Sequence, residues 1–111
     1  MNWLQEAYGW TDIFPFLDFM DIPNGEDKYN KIKVRANKLL KFLYDKDVVQ
    51  PLIFKGQILQ LEWESRTRYL EIEVHEDRYS ILYIDIPNEI EFERVENDFD
   101  ILLGYVVCVT N

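Results

Sequence analysis

Between Gln60 and Val74 the chain alternates polar and apolar residues twice, as Gln60-Leu61-Glu62-Trp63-Glu64 and then as Tyr69-Leu70-Glu71-Ile72-Glu73-Val74. Alternation of period two is the mark of half-buried strands. Folding the two runs back on each other about Arg66-Thr67 sets Leu61 against Ile72 and Trp63 against Leu70. It also sets Glu62 against Glu71 and Gln60 against Glu73. A slip of one residue would turn every side chain to the wrong face, so agreement on both faces makes this hairpin the firmest constraint on the fold. The apolar face has a core to build. The other opposes like charges, which costs stability, and its clustered carboxylates point to a cationic partner.

The neighbouring segments extend the same pattern. Pro51-Leu52-Ile53-Phe54 reads as a short strand ending in a turn at Lys55-Gly56, and residues 57–64 and 68–74 form the hairpin. A second tip near Glu76-Asp77 leads into Tyr79-Ser80-Ile81-Leu82-Tyr83-Ile84-Asp85. Pairing Val74 with Tyr79 brings Ile72 against Ile81 and Leu70 against Tyr83. Ile86-Pro87-Asn88 interrupts, and Ile90-Glu91-Phe92-Glu93-Arg94-Val95 follows as a strand with Glu91 and Glu93 on one side. Upstream, Asp27 or the residues just before it cap a helix over 27–44. Its Tyr29, Ile32, Ala36, Leu39, Leu40 and Leu43 form one apolar stripe, with Lys31, Arg35, Lys38 and Phe42 on the far side. The chain end reads two ways. Phe99, Leu102, Leu103, Val106 and Val107 match helical spacing, while Tyr105-Val106-Val107-Cys108-Val109 has strand composition. A short helix from Asp98, with an extended tail as an option after it, is the preferred reading.

These elements predict one α+β domain over residues 1–111, an antiparallel sheet of about four strands across 51–96 with one long helix packed on its apolar face. Trp63, Leu61, Ile72, Leu70 and Ile81 should meet Ile32, Ala36, Leu39 and Leu43 there. Gln60, Glu62, Glu64, Glu71 and Glu73 should face water. The segment 1–25 is rich in aromatics, among them Trp3, Tyr8, Trp10, Phe14, Phe16 and Phe19. Asn2 is placed to cap a short helix through Tyr8, with Gly9 to end it. Short helical turns and loop packed on the body are expected. This segment serves either as core or as a hydrophobic docking patch.

Composition narrows the function classes. Hydrophobic residues make up 48% and aromatics 15%, enough to build a core and to argue against disorder despite a net charge of −9. That charge opposes nonspecific attraction to nucleic acid phosphates or anionic membranes. No apolar run approaches the roughly 20 residues a membrane span needs. A lone cysteine has no internal disulfide partner, and the chain opens without a secretory leader, so an intracellular, cytoplasmic protein of bacterial or phage origin is expected. The charge is unevenly distributed. Residues 28–46 hold seven bases and one acid, whereas residues 1–27 hold six acids and no base. The basic helix is a solvated face, a contact for an acidic partner or a second copy, or a contact for nucleic acid phosphates, which the acidic remainder of the chain opposes.

Catalytic signatures are sparse. His75, the one histidine, falls at a hairpin end and reads as a turn or edge residue; Cys108 reads as buried apolar filler. No phosphate-binding loop, G-x-S-x-G or H-E-x-x-H motif is present, and no cofactor is expected. Glu62 and Glu71 admit three further readings: a solvated face, a recognition face for a basic partner, or an acid/base pair or divalent-cation site. A sheet face is not a cleft, which weighs against the last.

Leu39-Leu40, Pro51, Gln60-Leu61-Glu62-Trp63 and Leu70-Glu71-Ile72-Glu73 resemble a pattern in small bacterial α+β proteins with a Q-L-E-W / L-E-I-E strand pair, similar in character to antitoxin-like or mobile-element accessory proteins. The resemblance spans residues 36–85 and brings no catalytic residues with it. Small size, acidity and cytosolic character suit a small non-enzymatic inhibitor of antitoxin, immunity or phage anti-defence type. The expected partner is a basic protein such as a nucleic-acid-handling enzyme, met by Glu62, Glu64, Glu71, Glu73, Glu91 and Glu93. Trp3, Trp10 and Phe16 would supply buried apolar contact. Self-assembly, with the basic helix of one copy on the acidic sheet of another, is the alternative, and a carboxylate-dependent metal protein a more distant one.

Overall fold

The computed structural model describes residues 26–55 and 59–110. The aromatic opening segment, with its expected short helix and Trp3, Trp10 and Phe16, lies outside the described residues. Helix α1 (Glu26–Asp45) leads into strands β1 (Leu52–Lys55), β2 (Leu59–Glu64), β3 (Arg68–Val74), β4 (Tyr79–Asp85) and β5 (Ile90–Val95), and the chain continues into helix α2 (Phe99–Thr110). The strands form one antiparallel sheet in chain order, β1-β2-β3-β4-β5.

The registers are those the alternation dictates. Gln60 opposes Glu73, Leu61 opposes Ile72, Glu62 opposes Glu71 and Trp63 opposes Leu70. Across the next pair, Leu70 meets Tyr83, Ile72 meets Ile81 and Val74 meets Tyr79. Ser65 N–H donates to Arg68 O and His75 N–H donates to Arg78 O, both at 2.9 Å. Arg66-Thr67 and Glu76-Asp77 are thereby left as the two tips.

Two features depart from the sequence reading. The sheet has five strands rather than about four, because Leu52–Lys55, though only four residues long, pairs along Leu59–Glu62. The chain end is the helix preferred for it, but longer, 12 residues from Phe99 to Thr110 in place of a short helix with an optional extended tail. Leu102, Val106 and Val109 recur at helical spacing and are buried, and packing of that face outweighs the weak strand preference of the valines. Asp98 caps the helix, its Oδ1 accepting from Asp100 N–H at 2.9 Å and Ile101 N–H at 3.3 Å. Two helices therefore cover the apolar face among the described residues. Helix α2 crosses β2 and β3, and α1 lies against β3 and α2.

The core joins Ile32, Ala36, Leu39, Leu40 and Leu43 of α1 to Leu61, Trp63, Leu70, Ile72 and Ile81 of the sheet and to the buried side of α2. Trp63 satisfies its indole by donating Nε1–H to Val49 O at 2.7 Å, as a buried tryptophan must. Tyr79 does the same through Oη to Arg35 O at 2.7 Å, and burial pushes its phenol up to about 12. Arg35 and Phe42, expected on the solvent side of α1, are half-buried instead. The Arg35 guanidinium lies 4.4 Å over the Tyr79 ring, and the Phe42 ring packs 5.2 Å from Phe99. The start of α2 gives α1 a second neighbour, which widens its buried arc. Lys31, Lys38 and Lys41 remain exposed.

Candidate partner-binding face

The face of the sheet turned away from the helices is assembled by register. One row across it reads Leu52, Glu62, Glu71, Leu82, Glu93, and the next reads Phe54, Gln60, Glu73, Ser80, Val95. A third carries Glu64, Tyr69, Ile84 and Glu91. Glu62, Glu64, Glu71, Glu73, Glu91 and Glu93 thus share one face. They form two groups, because the β4 column of Ser80, Leu82 and Ile84 separates Glu71 and Glu73 from the edge pair Glu91 and Glu93. Leu52, Phe54 and Val95 add exposed apolar surface, at 63%, 49% and 54%. The face is a mosaic of carboxylates and aliphatic groups.

Among the glutamates of the central hairpin only Glu64 is exposed; Gln60, Glu62, Glu71 and Glu73 are half-buried, which corrects their expected position in open water. They lie along the sheet and are held by local donors. Gln60 Nε2 donates to Glu62 Oε2 at 2.8 Å. Tyr69 Oη contacts Glu62 Oε1 at 2.8 Å and Glu71 Oε2 at 3.0 Å. With one proton to give, the phenol serves one carboxylate at a time and bridges two anions that would otherwise repel. Burial and these two acceptors push the Tyr69 hydroxyl far above its ordinary range. His75 Nε2 stands 3.2 Å from Glu73 Oε1.

Glu71 sits between Glu62 and Leu82 at the centre of the face. Burial raises its carboxyl above the ordinary value, with Glu73, Glu62 and Glu93 adding to the rise and the Tyr69 hydrogen bond opposing it. Protonation of Glu71 therefore favours the folded chain, and its ionised form weakens the fold at neutral pH. Glu71→Gln is expected to raise stability at pH 7 by about 0.2–1 kcal/mol. That gain should shrink as pH falls through the raised value and the wild-type carboxyl takes up its proton. Urea unfolding at pH 7 and pH 4.5 checks this, and an equal gain at both would refute it. Beside these residues the face dips into an open groove of about 370 Å³, lined by Glu71, Glu73, His75, Ser80, Leu82 and Glu93.

Two constellations escaped the sequence reading. Tyr69 was visible as the residue two before Glu71, on the same face, but nothing in the pattern marked its hydroxyl as the bridge. The other lies at the far end of the core, where Asp85 is 4% exposed. Its carboxylate accepts from Arg68 Nε at 3.2 Å and Asn88 Nδ2 at 2.9 Å, and Arg68 Nη1 donates on to Cys108 O at 3.3 Å. The signal was an aspartate at an inward position of β4, after Tyr79, Ile81 and Tyr83. Cys108, expected as buried filler, is exposed because α2 buries Leu102, Val106 and Val109 and turns Cys108 to its flank. Its Sγ lies 3.3 Å from Tyr83 Oη. Among the described residues no three His, Cys, Asp or Glu side chains are grouped to hold a metal ion, and no helix is long and apolar enough to cross a membrane.

Fold and face together define an α+β helix-on-sheet protein with an acidic and apolar sheet face that none of the described helices covers. No known protein family, curated protein or solved structure matches the chain.

Proposed function

We propose that this chain is a small non-enzymatic inhibitor, of antitoxin, immunity or phage anti-defence type, that binds a basic partner protein through its outer sheet face. It would act in the bacterial cytoplasm, or in that of the host if phage-encoded. The observation that carries the reading is the pairing of Glu62 with Glu71 at the middle of a face that no other described element covers. Like charges are set opposite each other and a tyrosine is spent on bridging them, an arrangement that repays its cost when lysine or arginine arrives. A partner of this kind is a nucleic-acid-handling enzyme whose basic channel would accept the glutamates in place of phosphates. Charge complementarity speeds encounter and selects the partner, while Leu52, Phe54 and Val95 offer the dry contact that holds it. Trp3, Trp10 and Phe16 belong to the same proposal as further apolar anchors.

Glu62→Lys combined with Glu71→Lys is expected to leave folding intact and to weaken partner binding about 100-fold, each reversal turning one attraction into repulsion. Affinity capture from host lysate at low and moderate salt checks it, followed by titration of the captured basic protein with wild type and double mutant. Capture unaffected by the mutant would end the acidic-face reading. The second reading, self-assembly, is favoured by one observation, the exposed Lys31, Lys38 and Lys41 of α1. Light scattering that falls from oligomer to monomer as salt rises would support it.

A further inference from the structure

The edge of the sheet carries its own pattern. Among the described residues strand β5 pairs with β4 along one side only, and all its residues are exposed except the half-buried Phe92. Two hydrogen bonds tell which backbone groups it leaves free. Ile86 N–H donates to Thr67 O at 2.9 Å, and Glu96 N–H donates to Tyr79 O at 3.0 Å. Backbone groups alternate between the two sides of a strand. Ile90, Phe92 and Arg94 therefore turn their N–H and C=O to β4, and Glu91, Glu93 and Val95 turn theirs outward.

Side chains alternate in the same rhythm. Glu91 and Glu93 lie on the outer face, while Ile90 and Phe92 border an open apolar hollow of about 420 Å³ between β5 and α2, shared with Tyr83, Ile101, Gly104 and Tyr105. An incoming strand would thus meet free hydrogen-bonding groups, two carboxylates on one face and an apolar hollow on the other. A second copy of β5 does not suit. The two face-matched antiparallel registers with the longest overlap set Glu93 against Glu93, or Glu91 against Glu93, and like charges directly opposite destabilise a pair. Arg94 adds an inward charge of the sort that guards sheet edges. It is stacked 5.5 Å from the Phe92 ring and 5.4 Å from the Tyr105 ring, and paired with Glu96 at 3.2 Å.

The geometry points to β5 as a docking edge for an extended segment of a partner protein, with lysine or arginine alternating with apolar residues, added as a sixth strand. Its cations would stand opposite Glu91 and Glu93, and its apolar side chains would enter the hollow beside Phe92. This deepens the reading of a basic partner given above and rests on it.

The test uses the full chain, labelled with nitrogen-15, and three capped peptides of about seven residues, a strand's ordinary length. One alternates lysine and valine, one alternates glutamate and valine, and one is the lysine peptide methylated on alternate backbone nitrogens. The lysine peptide is expected to bind saturably, shifting the amide signals of Glu91, Glu93 and Val95 and slowing their hydrogen exchange. The glutamate and methylated peptides should each bind at least about tenfold more weakly, the effect of two lost cross-strand ion pairs or of the lost ladder. Glu93→Pro removes an outward N–H that β4 does not use, and should abolish binding with the fold retained. Glu91→Lys with Glu93→Lys is the companion variant should proline unfold the strand. Equal binding of the methylated peptide, no binding of the lysine peptide, or shifts confined to Glu62, Glu71 and Glu73 would overturn the proposal. Glu62→Lys with Glu71→Lys should leave edge binding within about twofold, since Glu71 lies two strands, about 10 Å, and Glu62 three strands, about 14 Å, from β5. Failure at the edge is thereby separable from failure of the central face.

Discussion

Trp63→Ala is expected to destabilise the fold by roughly 3–5 kcal/mol, the cost of emptying a large aromatic site from a packed core. Trp63 is 2% exposed, faces Leu70 across the hairpin and lies within the cluster that joins the sheet to both helices. Its indole also ties the loop after α1 to β2 through Val49 O, and the truncation leaves that carbonyl to find another donor. A domain of this size has about 5–15 kcal/mol of stability in all, so the variant should be partly unfolded at room temperature or melt far below wild type. Trp63→Phe keeps most of the buried area but still loses the hydrogen bond, worth about 1 kcal/mol. Urea unfolding followed by circular dichroism separates the two. A Trp63→Ala midpoint within error of wild type would mean that β2 is not seated as described.

The second large effect concerns Asp85. Asn88 and Arg68 hold its carboxyl below the ordinary 3.8, the Asn88 hydrogen bond being the larger influence and burial opposing both. Because the folded-state value lies below the unfolded one, the contribution of Asp85 is complete above the unfolded value. It is lost as pH falls through the depressed folded value. Asp85→Ala should therefore lower the unfolding midpoint more at pH 7 than in acid below the depressed folded value, where the wild-type carboxyl is also protonated. The substitution strands Arg68, whose guanidinium the carboxylate holds above its ordinary pKa by hydrogen bond and charge. It also loosens the contact from Arg68 to Cys108 O, in the last turn of α2, where a cation suits the helix dipole. A difference between wild type and variant that is constant with pH would show that volume, not charge, is what Asp85 contributes. This network braces the start of β5 through the Asn88 turn, so the variant should also weaken any strand docked at that edge.

Glu71 and Asp85 thus bend the pH profile in opposite senses. The differences between wild type and each variant, Asp85→Ala and Glu71→Gln, should therefore change with pH in opposite directions.

What the amino-acid sequence determined by itself was everything that depends on spacing along the chain. The turnover points at Arg66-Thr67 and Glu76-Asp77, the opposition of Glu62 to Glu71 and the apolar stripe of Ile32, Ala36, Leu39 and Leu43 follow from periods of two and 3.6, which need no distant partner to be read. The common face of the six glutamates follows from the same alternation. Tertiary structure decided the matters that turn on which surfaces meet. Val106 and Val109 became helix because a core lay beneath them, although their composition suited a strand. Arg35 left the solvent for the Tyr79 ring of β4, and Phe42 for Phe99 at the start of α2. The half-burial of Glu71, the Tyr69 bridge and the pairing of Arg68 with Asp85, 17 residues away, all depend on strands laid side by side. Exposure along β5 depends on where the sheet stops. Local pattern records which way a side chain points; what it then meets is set by the packing of elements far apart in the chain.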